Sequence, residues 1–216
     1  MRMVTRTVLA LIATAALAAP ASAAVIYSDL GTVAPPGTLG PYTMTPFPDD
    51  PRPNLVAETD VASPLGGDVT FSTPLTHTEV GVGWATWSHG YTGDIYYAIP
   101  GTTVTLTMPA DTGAFYLYAE PNSFATYTFT VTASDGTVSA IAVQPIVGQS
   151  GARGFGFHVD SGTLASIVVS TTADALGFAV GEFGIAQAVP EPLSLLLFGT
   201  GLVGVAARRR RHARIQ

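Results

Sequence analysis

Trp84 and Trp87 are the two tryptophans of this chain, and Ser88-His89-Gly90-Tyr91 follows at once. An aromatic ring with a polar tip offers a flat apolar face beside a wet edge. An exposed indole with a tyrosine next to it is the arrangement on which a sugar ring stacks, so Trp87, His89 and Tyr91 form the candidate ligand set. In a regular strand the odd separation of Trp84 and Trp87 puts the two indoles on opposite faces. One then fills the core and the other lies near a loop. Packing plus a turn explains the same residues without a ligand. Glu120 and Glu182 are candidates for the paired carboxylates of a glycosidase, although nothing in the sequence brings them together. His77 and His158 show no metal-ligand spacing, and no metal ligand is assigned.

Other catalytic patterns are missing. The chain has no cysteine, which excludes a thiol nucleophile. Ser150 lies between Gly148-Gln149 and Gly151-Ala152 and does not fit a nucleophile elbow. No H-E-x-x-H occurs. Gly199, Gly201 and Gly204 spell G-x-G-x-x-G, but inside an apolar run rather than after a strand, so no nucleotide site follows. No catalytic residue is assigned, and the expectation is a protein that is not an enzyme and has no resident cofactor. Asp49-Asp50 sits in a proline-rich loop of the kind that can hold calcium through carboxylates and carbonyls. The lack of an Asp-x-Asp-x-Asp-Gly pattern favours a solvated polar loop there.

The two ends of the chain carry addresses. Arg2 and Arg6, the apolar run from Val8 to Ala19 and the small-x-small site Ala21-Ser22-Ala23 form a signal peptide, cut by signal peptidase between Ala23 and Ala24. At the other end Val189-Pro190-Glu191-Pro192 precedes an uncharged run from Leu193 to Ala207, then Arg208, Arg209, Arg210 and Arg211. As a helix that run spans roughly 22 Å, short for a hydrocarbon core of about 30 Å, with arginine stems reaching the interface. The arginines stay on the cytoplasmic side, so everything before Val189 lies outside. The prolines keep Glu191 extended and open to a protease; a simple C-terminal membrane anchor explains the same tail equally well.

This tail resembles the PEP-CTERM sorting signal, also labelled ice-binding protein C-terminal domain. The resemblance implies a Gram-negative host, often one that makes exopolysaccharide, and recognition and cutting by a membrane-embedded exosortase. It makes the inner membrane a transient partner and the envelope or extracellular matrix the destination. The glycines of the apolar run then let the helix approach that enzyme closely. The stretches Thr92 to Tyr97, Ala114 to Asn122 and Gly177 to Gly184 resemble blocks of other PEP-CTERM cargo proteins, which implies a shared β-sandwich ectodomain and no particular activity.

Composition supports export. Seven of the nine arginines lie in the terminal signals and lysine is absent, so residues 24 to 189 hold two arginines against 14 acidic residues, a net charge of −12. Nucleic acid, which needs cationic contacts to phosphate, is excluded as a partner. Without cysteine the exported domain has no disulfides and rests on its core alone or on a metal.

The chain divides into a signal peptide (1–23), a proline-rich irregular region (24–68), a β-sandwich core (69–188) and the sorting tail (189–216: motif 189–192, transmembrane run 193–207, basic end 208–216). Half of the sixteen prolines fall between Pro35 and Pro64. Ala24 to Leu30 reads as a first strand. Short alternating runs follow: 76–87, 94–98, 103–108, 114–119, 127–133, 138–143, 154–159, 165–170 and 177–184. They are rich in Val, Thr, Tyr and Phe and separated by turn residues. Asp135-Gly136 marks a hairpin. No segment before the tail has a helical period. The expected fold is all-β, a sandwich of jelly-roll type. Thr103, Thr105 and Thr107, and Thr126, Thr128, Thr130 and Thr132, alternate as solvent faces of strands; a flat array of this kind is also what some ice-binding proteins present. Two functions stay open. One is a structural or adhesive component of matrix or biofilm, with sugar or calcium binding. The other is a secreted polysaccharide hydrolase, which requires carboxylates converging about 5 to 10 Å apart in a cleft.

Overall fold

The computed structural model describes residues 24–188. The signal peptide, Val189, Pro190, Glu191 and Pro192, the run Leu193 to Ala207 and the arginine cluster lie outside the described residues. The chain forms β1 (Val25–Gly31), β2 (Thr38–Leu39), β3 (Tyr42–Thr43), β4 (Thr45–Pro46), β5 (Val56–Ala62), β6 (Asp68–Glu79), β7 (Asp94–Ala98), β8 (Thr103–Thr107), β9 (Thr112–Pro121), β10 (Thr126–Ser134), β11 (Ser139–Val147), β12 (Arg153–Val159), β13 (Ser166–Thr171) and β14 (Phe178–Gln187). One short 3₁₀ turn covers Ala173–Ala175. The fold is all-β, and among the described residues no helix is long and apolar enough to cross a membrane.

Twelve strands join in one antiparallel sheet with the path β1-β12-β9-β14-β7-β6-β8-β13-β10-β11, with β4 added to β14 and β5 to β6. The sheet doubles over at β6. Thr70 and Phe71 pair with β8, while Thr76 to Glu79 pair with β7. Pro74 lies between these two ladders, where a residue without an N–H interrupts pairing at least cost. The sheet ends approach each other: Gln144 of β11 donates its side-chain amide to the Tyr27 hydroxyl of β1 at 3.4 Å. The result is a barrel-like sandwich.

Alternation explains the core. Val104 and Leu106, Phe129 and Val131, and Ile167 and Val169 point inward from one layer. Phe115 and Leu117, Phe155 and Phe157, and Phe178 and Val180 meet them from the other. Both threonine arrays fall on the outer side of the first of these layers, with β13 between them. They share a face but are not adjacent.

The opposite layer is buried on both sides. Every residue of β9 is buried, and its even-numbered side chains Ala114, Tyr116 and Tyr118 belong to a second apolar cluster. Leu39, Tyr42 and Met44 from the proline-rich region and Trp84 and Trp87 from the segment after β6 cover that outer side. Residues 24–68 are thus lid as well as edge: β1 and β5 extend the sheet, while the prolines between them carry the chain over its face.

Candidate functional site

The alternating run read as a strand from 76 to 87 ends at Glu79. Residues 80 to 93 leave the sheet as a loop with Gly81, Gly83, Gly90 and Gly93, and Gly81 and Gly90 take positive φ. Trp84 and Trp87 therefore do not lie on opposite faces of a strand. Both fold back onto the outer side of β9 and β14, and both are buried, with exposures of 7% and 4%. The period-2 rule fails here because these residues form no ladder.

Each indole lands on one of the two candidate glutamates. Trp84 Nε1–H donates to Glu120 Oε2 at 2.6 Å. The Thr86 hydroxyl and the Gly151 amide donate to Glu120 Oε1 at 3.2 and 3.1 Å. Trp87 Nε1–H donates to Glu182 Oε2 at 3.0 Å, and His89 Nε2–H to Glu182 Oε1 at 2.7 Å. The Ser88 hydroxyl lies 2.9 Å from His89 Nδ1, which is also 3.3 Å from the Thr32 carbonyl, and the contacts form a chain Ser88–His89–Glu182. Its connectivity is that of a nucleophile, base and orienting acid, but Ser88 is 1% exposed.

Glu120 and Glu182 come from neighbouring strands. Glu120 faces Ala179 across the ladder, while Glu182 lies in the irregular stretch between Gly181 and Gly184 where the β9–β14 register shifts. Burial pushes both carboxyls above the usual carboxylate range, against the bonds that they accept. Glu120 has no exposed surface.

The bulge in β14 sets the geometry of the site. β14 pairs with β7 through Phe178 to Gly181, then with β4 through Gly184 and Ile185. Glu182 and Phe183 occupy the gap between those two partners. Bulges re-aim side chains and are frequent beside functional sites. Glu182 has φ 50° and its partner His89 φ 41°, a conformation that costs a non-glycine residue roughly 1 to 3 kcal/mol.

A cavity of about 170 Å³ opens at this gap. Its walls include Glu182, Tyr116, Tyr91, Tyr96, Asp49 and Asp94, with prolines at the mouth. Asp94 is held by His77, whose Nε2–H donates to Asp94 Oδ1 at 2.8 Å, and by the Asp50 amide at 2.7 Å. Tyr91 donates to the Asp94 carbonyl at 3.0 Å. Burial raises the Tyr91 phenol well above its ordinary value, and the charges of Glu182, Asp94 and Asp49 add to that. Burial and the Glu182 charge push Tyr116 up to about 12.

Of the sequence candidates Trp87, His89 and Tyr91, the structure joins the first two to Glu182 and places Tyr91 on the cavity wall. Trp87 is a buried donor and presents no stacking face to solvent. Tyr116 and Asp94 are not among the sequence candidates, and Asp49 entered only as part of the loop that could hold calcium. Tyr116 looked like an ordinary alternating strand residue, and what makes it different is the bulge opposite.

The aspartate-rich loop is organised by Arg52. Its guanidinium bonds both Asp50 oxygens (2.6 Å at the closest), Glu58 at 2.7 Å and Asp60 at 3.2 Å. Tyr96 also donates to Asp50 at 2.6 Å. Burial pushes the Asp50 carboxyl up, but the bonds from Arg52 and Tyr96 outweigh it and hold it well below the usual carboxylate range.

The last strand ends at Gln187, and the tail begins immediately after it. Residues 188–211 match the PEP-CTERM protein-sorting motif. This chain carries a PEP-CTERM sorting signal. The signal marks it for export and for membrane-associated processing by an exosortase-type enzyme in a Gram-negative bacterium. No curated protein matches the chain. Among solved structures it is similar to the CBM22-1–GH10 modules of endo-1,4-beta-D-xylanase 10B from Clostridium thermocellum, complexed with xylohexaose. Identity there is 10% and the TM-score 0.34, over 54% of this chain and 25% of that one. The chain therefore spans a quarter of that structure's length, a likeness too distant to bear on chemistry.

Proposed function

We propose that this is a non-enzymatic exported protein whose ectodomain is delivered to the cell envelope or extracellular matrix, in association with exopolysaccharide, once its tail has been cut. One observation carries this reading: the sorting motif starts at residue 188, directly after β14 ends at Gln187. The folded domain is the cargo, and the membrane run holds it only until processing. The ectodomain is of jelly-roll type, a reading supported by the strand orders β7-β14-β9-β12 in one layer and β8-β13-β10-β11 in the other.

The chemistry of the buried cluster supports a scaffold. Glu120 is enclosed among donors, and Ser88 is closed off from substrate. The loop needs no resident cation, because Arg52 already neutralises Asp50. Replacing Pro190, Glu191 and Pro192 by alanine in the native host tests the assignment. The ectodomain is then expected to accumulate in the inner-membrane fraction. Undiminished delivery of that variant to the envelope or medium would overturn the reading.

A serine-hydrolase reading, distinct from the polysaccharide hydrolase that needs paired carboxylates, rests on the Ser88–His89–Glu182 contacts alone. A fluorophosphonate probe decides it: the account expects no adduct at Ser88, and stoichiometric labelling of that serine would make the protein a hydrolase.

A further inference from the structure

Tyr116 is 1% exposed, yet its hydroxyl makes no hydrogen bond with any described residue. The other tyrosines around it are tied down: Tyr91 donates to the Asp94 carbonyl, Tyr96 to Asp50 and Tyr118 to the Val33 carbonyl. The Tyr116 ring crosses β14 at Gly184, where an added Cβ would strike the ring and its hydroxyl. Its polar end thus reaches the bulge, and Tyr116 forms part of the cavity wall there. A buried phenol normally finds a partner. This one faces a space of about 170 Å³.

The rest of the wall fixes the sign of what enters. Three carboxylates line it, from Asp49, Asp94 and Glu182, and no lysine or arginine does. Arg52 lines only the adjoining groove beyond Pro48 and Asp49, and its guanidinium is already bonded to Asp50, Glu58 and Asp60. The carboxylates of Asp94 and Glu182 are pinned by His77 and by Trp87 and His89. They are therefore fixed acceptors that need not be ordered on binding. Among the described residues no three His, Asp or Glu side chains are close enough together to hold a metal ion. Fixed acceptors suit a ligand that brings its own donors, and the negative wall favours one that carries positive charge. Tyr91, Tyr96, Phe47 and Phe183 add aromatic surface to the wall.

We infer that the cavity at the β14 bulge binds the ammonium group of an amine-bearing sugar, with the Tyr116 hydroxyl as acceptor and Asp49, Asp94 and Glu182 supplying the negative potential. A neutral sugar of the same size forgoes that potential, and a bare metal ion finds no cage. Every residue named for the site lies within residues 24–188, so the inference does not depend on where the tail sends the protein, and either conclusion can fail alone.

The test is calorimetric titration of the full-length chain in detergent with glucosamine oligomers, using N-acetylglucosamine oligomers of equal length as the uncharged comparison. Saturable binding of the amine form alone is expected. Tyr116→Phe keeps the ring and removes only the acceptor, and should weaken binding about tenfold or more, the loss expected for one hydrogen bond to a charged group. Asp49→Asn removes a charge that makes no hydrogen bond in the fold, and should weaken binding without altering the melting curve. No binding, equal binding of the N-acetylated oligomers, or an unchanged affinity in both variants would overturn the inference. Equal binding of an oligolysine peptide would overturn the sugar assignment.

Discussion

Glu120 is the acid whose role depends most on its surroundings. It lies against Trp84, Thr86 and Gly151 with no exposed surface, and burial holds its proton to a higher pH than in the unfolded chain. The folded state therefore binds more protons than the unfolded one between about 4.3 and the raised folded value. The contribution is fully present below about pH 4.3 and is lost as pH rises through that window. Glu120→Gln keeps an acceptor for the Trp84 indole and removes the titration. Melts of both proteins from pH 4 to 8 should show the variant losing less stability with rising pH, and identical slopes would assign the burial cost elsewhere. Trp87→Phe keeps an apolar ring but leaves Glu182 short of a donor, which should cost about 1 to 3 kcal/mol in urea unfolding. A smaller loss would mean that water replaces the indole. Neither pairing was legible beforehand. Trp84 meets Glu120 across 36 positions and Trp87 meets Glu182 across 95, and alternation reports only a residue's side of its own strand.

The strands that alternate cleanly in sequence are the strands of the fold. Residues 94–98 are read and found alike, and 103–108, 114–119, 127–133 and 154–159 differ from β8, β9, β10 and β12 only at their ends. Asp135-Gly136 turns between β10 and β11 with Gly136 at positive φ. The reading was weaker where partners rather than pattern decide. Val56–Ala62 has a half-polar sequence and becomes a strand by adding to β6, while 80–87 has strand composition and becomes a loop. The bulge in β14 left one trace, the glycines on either side of the Glu182-Phe183 pair. Gly184→Ala tests that element, because the new methyl would collide with the Tyr116 ring. A loss of about 1 to 3 kcal/mol is expected from overpacking, and no loss would show that the ring can swing away. Arg52 ties the proline-rich loop to β5, and Arg52→Met strands a nearly buried Asp50. With the arginine itself 27% exposed, the cost should be about 2 kcal/mol, below that of a fully buried pair. Asp50 has a depressed folded value, so its contribution is present above about pH 4 and is lost as pH falls through the folded value. The variant should show a flatter acid limb in its melting profile, and an unchanged limb would contradict the clamp.

At the scale of the whole molecule, one end of the folded domain meets the expected signal-peptidase cut and the other meets the sorting motif. The amide of Ala24, the residue after the expected signal-peptidase cut, donates to Asp160 at 2.7 Å. Cleavage there turns that amide into an ammonium group and the contact into a charge-assisted bond. At the other end the sorting motif follows β14 with no spacer. Between them lies a domain of net charge −12. The sorting signal was legible because such a signal is a linear stretch of sequence. The cavity was not, because its walls come from residues 35 to 183 and exist only after the sheet has doubled over. The measurement that tests the account most directly is the intact mass of the protein recovered from its native host. The account predicts a chain that begins at Ala24 and has lost everything from about Pro190 onward. A mass that still contains Leu193 to Gln216 would contradict it, because the tail would then be a permanent anchor and the domain a membrane-bound protein.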